Sequence, residues 1–130
     1  EGFDRFIRSG RRAYVPKASL GCLDALALIH QAGGIAILAH PGVGATVPKL
    51  ATRLLDMPFD GIEVFHTKHT PAQSRWFMQL AQERGLLVSG GSDCHGTATK
   101  REPEMGKVRL PLEHVERVQE ALARRQTLAV

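Results

Sequence analysis

The segment GIEVFH, residues 61–66, decides the fold, because its short apolar run ends abruptly on a histidine. The same design occurs twice more: IAILA at 35–39 leads into His40, and LLVSGGS at 86–92 leads into Asp93. The polar residues that end the three runs follow at intervals of 26 and 27 residues, about one strand and its crossover helix. Neighbouring parallel strands would bring them to one sheet edge, where α/β proteins place their chemistry.

Helix signals fill the segments between these runs. Thr70 and Pro71 are a typical N-cap and first helical residue, and Gly85 is a typical helix end. The predicted elements are a helix at 23–31, a strand at 35–39, a short helix from Pro48, a strand at 62–65, a helix at 71–84, strands at 86–89 and 107–110, and a helix from Pro111. The expected inner faces are Leu50, Leu54 and Leu55 of the short helix, Trp76, Phe77, Leu80 and Ala81 of the next, and Leu112, Val115, Val118 and Leu122 of the last. This alternation predicts an α/β fold.

The composition is that of one globular domain of 130 residues, with 43% hydrophobic and 23% charged residues. The net charge of +4 comes from scattered basic residues, and aromatic residues make up only 5%, which argues against a dedicated nucleic-acid-binding surface; a phosphate-bearing substrate fits the positive charge equally well. No apolar run is long enough to cross a bilayer and no signal peptide opens the chain, so we expect no membrane partner. Cys22 and Cys94 show no disulfide or zinc spacing, which favours the reducing cytoplasm.

Asp93 and His95 stand two residues apart just after a predicted strand, so an extended backbone would point their side chains the same way. A carboxylate and an imidazole placed like this can share one divalent cation. The structural alternative is a capping aspartate beside a surface histidine. Cys94 between them should face away and serve packing.

The other polar residues near the strand ends have plausible roles in the same site. His40 ends the most apolar strand, and its alternative role is a hydrogen bond to a loop carbonyl. His66, Lys68 and His69 could present cationic and hydrogen-bonding groups to a phosphate, or could form a solvated loop. Glu63 could point inward and orient a metal ligand. His30 and His114 are predicted to be ordinary surface or boundary residues.

The ordered set AHPG, GIEV with a following HTP, and GSDCHG resembles the polymerase and histidinol phosphatase (PHP) family. The similarity is greatest to its small phosphoesterase branch, which hydrolyses nucleoside 3′,5′-bisphosphates and short oligonucleotides. It extends over nearly the whole chain. The resemblance implies part of a distorted, TIM-like (β/α)7 barrel that binds divalent metals (Mn, Zn, Fe or Mg).

The resemblance also assigns residues. It makes His40, Asp93 and His95 metal ligands and places His69 near the substrate phosphate. The metals of this family activate a water molecule, so no protein nucleophile is needed. The expected partners are a phosphorylated small molecule or a short oligonucleotide.

Two departures from the family pattern stand out. The amino-terminal His-x-His motif of the family is absent, so residues 1–130 are expected to be the carboxy-terminal portion of one PHP domain. This portion is expected to be inactive alone, and a missing amino-terminal half or a homo-oligomer would complete it. Val43 stands where relatives carry an arginine after His-Pro-Gly, and Lys17, Lys49 or Lys68 could replace it. The alternatives are a histidinol-phosphate phosphatase and a non-catalytic PHP-type regulatory or structural domain.

Overall fold

The fold is a small parallel β-sheet with helices packed against it. A computed structural model describes residues 2–16, 19–44, 48–96 and 104–128. After a single π-helical turn at Phe3–Ile7, the elements are α1 (Cys22–Gln31), β1 (Ile37–Leu38), α2 (Pro48–Leu54), β2 (Gly61–His66), α3 (Pro71–Arg84), β3 (Leu87–Gly91) and α4 (Leu112–Leu128). The sheet order is β1-β2-β3 with both pairings parallel, which confirms the α/β prediction.

The hydrophobic core lies between β2, β3 and the inner side of α3. Ile62 and Val64 of β2 are fully buried, and Phe77 of α3 packs among them with 2% of its surface exposed. The helix begins as predicted: the Thr70 hydroxyl accepts from the Gln73 N–H while the Gln73 side chain accepts from the Thr70 N–H. It ends at Gly85, which has the left-handed φ of 63°.

The strands differ from their predicted extents. Only residues 37–38 of the first apolar run pair with β2, and residues 107–110 form no strand in the described chain. The third strand runs two residues further than predicted, to Gly91. The extent of an apolar run therefore did not give the length of the strand, because a residue belongs to a strand only where a neighbouring strand supplies its ladder hydrogen bonds.

Several side chains expected to face inward are exposed instead. Leu112 at the start of α4 is 68% exposed and Leu50 of α2 is 42% exposed, so these two predictions are wrong. In α1 only Leu26 is buried, whereas Leu23, Leu28 and Ile29 face solvent. Helical periodicity identifies an apolar side correctly but does not show whether the same chain covers it.

A polar cluster fastens α1 and α4 to the amino-terminal end of the sheet. Both Asp60 oxygens accept from the Arg125 guanidinium, and Asp60 Oδ2 also lies 2.7 Å from the Ala36 N and 2.9 Å from His30 Nε2. Arg125 donates in addition to the Gly34 carbonyl at 2.6 Å. Burial alone would raise the pKa of Asp60, but the hydrogen bonds from Arg125, Ala36 and His30 outweigh it and lower that pKa.

The two helical histidines are not ordinary surface residues. His30 takes part in the Asp60 cluster, and His114 is 8% exposed with its ring centroid 6.0 Å from that of Phe65. Sequence reasoning missed both because their partners, Asp60 and Phe65, are distant in the chain.

Candidate functional site

The three predicted strand ends meet at the carboxyl edge of the sheet. His40 follows β1, His66 is the last residue of β2, and Asp93 follows β3. The His40 and His66 ring centroids are 5.7 Å apart. The charges of His40 and Asp93 both act on the pKa of His66, which reflects the closeness of the three groups. The parallel register of the strands produces this juxtaposition, as the intervals in the sequence predict.

Asp93 and His95 approach each other, although not along an extended backbone. Asp93 has a φ of +52°, so the chain turns after β3, yet Asp93 Oδ1 lies 3.3 Å from His95 Nε2. Desolvation acts to raise the pKa of Asp93, and the charge and hydrogen bond of His95, with smaller effects of His40 and Lys68, lower it overall. Asp93 is therefore a carboxylate at neutral pH, as a cation ligand must be.

Glu63 reaches the backbone of His40. Its Oε2 atom accepts a hydrogen bond of 2.6 Å from the His40 N–H, across the gap between β2 and the end of β1. Its Oε1 atom lies against Gly91, where a methyl group would come within 3.2 Å. Glu63 thus contacts the His40 main chain, and its role in orienting a metal ligand stays a prediction.

His66 presents a buried donor that has no acceptor in the part of the chain that the structure describes. The residue is 6% exposed, and its Nδ1 atom accepts from the Lys68 N–H at 3.1 Å. Its Nε2 atom is buried with no hydrogen-bond partner among the described residues. Desolvation lowers the pKa of His66, the negative charge of Glu63 raises it, and the charges of His69 and His40 lower it further. The overall pKa is lowered, so the ring is mostly neutral at pH 7. Since Nδ1 accepts, the single ring proton sits on Nε2.

His69 has both ring nitrogens engaged within the protein. Nδ1 lies 3.0 Å from the Val64 carbonyl and must donate to it, while Nε2 accepts from the Gly42 N–H at 3.1 Å. Its ring also contacts Phe77, with centroids 5.0 Å apart. Its predicted contact with a substrate phosphate stays a prediction, and such a contact would require one of these two bonds to open.

The predicted lysines are described unequally. Lys68 is exposed beside the site, whereas Lys17 and the side chain of Lys49 lie outside the described residues. Cys94 is partly buried, and backbone hydrogen bonds at Gly96 and Glu104 lower the pKa of its thiol despite the opposing effect of desolvation.

Sequence reasoning missed Gln73. Its side-chain Nε2 donates to the Gly42 carbonyl at 3.2 Å, in addition to its place in the capping box of α3. The Thr-x-x-Gln spacing at Thr70 predicts the cap. The second bond joins segments 31 residues apart and has no local signal.

The donor set of a metal site is incomplete within the part of the chain that the structure describes. No three histidine, cysteine, aspartate or glutamate side chains there are placed closely enough to hold a metal ion together. His40, Asp93 and His95 supply suitable nitrogen and oxygen donors. Their assignment as ligands stays a prediction, and a bound cation would need further donors or a local movement.

Known proteins resemble this chain in sequence. The chain is 31% identical over 97 residues to the 5′-3′ exoribonuclease Rnm of Salmonella typhimurium, covering 72% of this chain and 33% of that protein. It is 33% identical over 97 residues to the 3′,5′-nucleoside bisphosphate phosphatase of Chromobacterium violaceum, covering 72% of this chain and 34% of that protein. The chain thus spans about a third of the length of the curated relatives it matches.

Solved structures share the fold. A protein from Bifidobacterium adolescentis assigned as a metal-dependent phosphoesterase matches with a TM-score of 0.65 and 24% identity, over 92% of this chain and 43% of that one. An amidohydrolase from Chromobacterium violaceum with bound sulfate and no metal matches with a TM-score of 0.60 and 28% identity, over 92% of this chain and 44% of that one. These similarities support the predicted resemblance to PHP-type phosphoesterases. The similarity covers less than half of each of these four proteins.

Two negative results accompany these similarities. No protein-family model matches the chain. Within the described residues, no helix has both the length and the hydrophobicity needed to cross a lipid bilayer.

Proposed function

We propose that this chain is part of a metal-dependent phosphoesterase that hydrolyses nucleotide or short oligonucleotide phosphate esters with water. The observation that carries the proposal is the meeting of His40, His66 and Asp93 at the carboxyl edge of three parallel strands. That edge is where α/β proteins bind their substrates. A neutral, buried and unpartnered His66 Nε2–H at this edge needs an oxygen acceptor, which a phosphate supplies.

His40, Asp93 and His95 are the residues we propose as ligands of a divalent metal ion: Mn, Zn, Fe or Mg. Their mixed nitrogen and oxygen donors suit such ions, and Asp93 is already ionised at neutral pH. When bound, the metal supplies a polarised phosphoryl oxygen and a more acidic water molecule.

The remaining polar residues would bind and orient the ester. His66 would donate from Nε2 to a non-bridging phosphate oxygen, and the Lys68 N–H on its Nδ1 keeps the ring in the tautomer that can donate. Lys68 would add a nearby positive charge, and Lys17 stays a sequence-based candidate for the same role. The Glu63 carboxylate would hold the His40 main chain in place while substrate binds.

The proposed substrate class is supported by the relatives. Two of them are named as a 5′-3′ exoribonuclease and a 3′,5′-nucleoside bisphosphate phosphatase, and the structure from Chromobacterium violaceum contains sulfate, a tetrahedral anion like phosphate. The free Cys22 and Cys94 thiols and the nucleotide-type substrates favour the cytoplasm as the place of action.

We further propose that the three strand–helix units belong to a distorted (β/α)7 barrel, with residues 1–130 as the carboxy-terminal portion of a single PHP domain. The relatives are about three times as long as the matched part of this chain, and among the described residues β1 pairs with β2 alone. An amino-terminal half, or a second copy of the chain, would then cover the free sheet edge.

Metal removal from the full-length protein tests the proposed function. We expect hydrolysis of a nucleoside 3′,5′-bisphosphate to stop when a chelator strips the divalent metal, and to return when Mn²⁺ or Zn²⁺ is restored. Phosphate release is the measurement, with histidinol phosphate as the comparison substrate. Undiminished turnover by protein shown to be metal-free would refute the metal-dependent reaction, and a preference for histidinol phosphate would refute the substrate class.

The role of His66 predicts a separable effect on substrate binding. Replacing His66 by Phe removes the Nε2–H donor, so KM for the phosphate ester should rise about tenfold or more. His66→Gln, which keeps an N–H donor, should lose less. Elemental analysis of bound metal is the control, because loss of metal in His66→Phe would make this residue a ligand instead.

A further inference from the structure

We infer that His69 and Gln73 are positioning residues, which clamp Gly42 and so hold the turn His40–Gly42 in the geometry that presents His40 to the site. The inference rests on the proposed function for the role of His40. The clamp itself is defined by contacts to the main chain of Gly42.

The first half of the clamp is the His69 ring, which bridges two strand ends. Nδ1–H donates to the Val64 carbonyl of β2, and Nε2 accepts from the Gly42 N–H beyond β1. Val64 has no register partner on β3, because the pairing shifts between Glu63 and Phe65. The Val64 carbonyl, at this irregularity, accepts its hydrogen bond from the His69 side chain.

The second half is the Gln73 amide, whose orientation is determined at both ends. Its Oε1 atom accepts from the Thr70 N–H at 2.8 Å, which leaves Nε2 to donate to the Gly42 carbonyl at 3.2 Å. Both the N–H and the carbonyl of Gly42 are therefore hydrogen-bonded, the first by His69 just before α3 and the second by Gln73 in its first turn. A side chain at Gly42 is excluded, because its first carbon would lie 2.8 Å from His69 Cδ2 and 3.1 Å from Gln73 Nε2.

The turn that the clamp holds contains an unfavourable backbone conformation. His40 has a φ of +29°, which side-chain-bearing residues rarely adopt. Its N–H donates to Glu63 at 2.6 Å, and its carbonyl accepts from the Val43 N–H at 3.0 Å. Such a conformation persists only where surrounding contacts determine it, and the clamp supplies them at the Gly42 end.

The rest of the protein makes the clamp rigid. The His69 ring lies against Phe77, a fully packed residue of the core, with the ring centroids 5.0 Å apart. Gln73 is anchored in the first turn of α3 by the capping box. Loosening either residue should let the exposed His40 leave its position without unfolding the sheet.

The isosteric variant Gln73→Glu separates positioning from structure. Glutamate at this position still accepts from the Thr70 N–H and keeps the capping box, since glutamate and glutamine both serve there. It cannot donate to the Gly42 carbonyl, and it places a negative oxygen against that carbonyl. Gln82→Glu, at an exposed position of the same helix, is the matched control for the added charge.

The experiment uses the full-length protein with three readouts: the melting temperature, amide hydrogen exchange at Gly42 by NMR, and the Co²⁺ dissociation constant from its visible absorption. In Gln73→Glu we expect an unchanged melting temperature, Gly42 exchange faster by about tenfold, and Co²⁺ binding weaker by about tenfold, as for other residues that orient metal ligands. Gln82→Glu should match the wild type in all three.

The outcomes separate the clamp from the proposed function. Wild-type exchange at Gly42 together with wild-type Co²⁺ affinity in Gln73→Glu would overturn the clamp. If the wild-type protein itself bound no Co²⁺, the metal proposal would fail, and Gly42 exchange and the His69 tautomer would still decide whether the clamp exists. Nitrogen shifts that place the His69 proton on Nε2 would also overturn it.

Discussion

Replacing Asp93 by alanine in the full-length protein should lower kcat/KM for a nucleoside 3′,5′-bisphosphate by about a thousandfold or more. The proposed metal site would lose its only carboxylate ligand, and several kcal/mol of charge stabilisation would go with it. His95 would lose the carboxylate oxygen that now lies 3.3 Å from its Nε2 atom. Initial rates of phosphate release measure the effect, and elemental analysis should show less bound metal.

Asp56→Ala is the matched control for this prediction. Asp56 is also an aspartate near the surface, with 67% of its side chain exposed, and its ion pair is with Arg84 of α3. Removing an exposed pair of this kind changes little, so activity and metal content should stay close to those of the wild type. Near-normal turnover by Asp93→Ala would contradict the ligand assignment, and equal losses in both variants would indicate general destabilisation.

The edge of the sheet that carries the site could be predicted because apolar runs recur in the sequence at a regular interval. Apolar runs at a regular interval, each ending in a polar residue, indicate parallel strands whose ends align, and β1, β2 and β3 do so. The start of α3 was equally predictable, since Thr70, Pro71 and Gln73 form a local capping signal. Local rules and strand periodicity were sufficient here because each depends on neighbours in the sequence.

What could not be predicted depends on contacts between distant segments. The orientation of the His69 ring depends on the Val64 carbonyl and the Gly42 amide, and Val64 lies where the β2–β3 register shifts. Asp60 has no motif, although it joins α1, α4 and the sheet. Sequence patterns mark residue types at an edge, but the direction of each hydrogen bond follows from the packed backbone.

Asp60→Ala should reduce the free energy of unfolding of the full-length protein by about 3 kcal/mol. Asp60 accepts hydrogen bonds from Arg125, His30 and the Ala36 N–H, and only 14% of its side chain is exposed. Its removal would leave the largely buried Arg125 guanidinium without a negative partner. Removing one partner of such a pair costs more than the pair contributes, because the other charge is left without compensation. Urea unfolding followed by circular dichroism measures the change.

The pH dependence gives this prediction a second, independent readout. The folded-state pKa of Asp60 is below its ordinary value of 3.8, so the ionised form stabilises the fold above that pH, and the contribution is lost as the pH falls through the folded pKa. The difference in unfolding free energy between wild type and Asp60→Asn should therefore shrink as the pH falls below about pH 4. A difference independent of pH down to pH 2 would mean that Asp60 acts through its shape and hydrogen bonds alone, without its charge. Asp56→Asn, in the exposed pair with Arg84, should show a much smaller difference throughout.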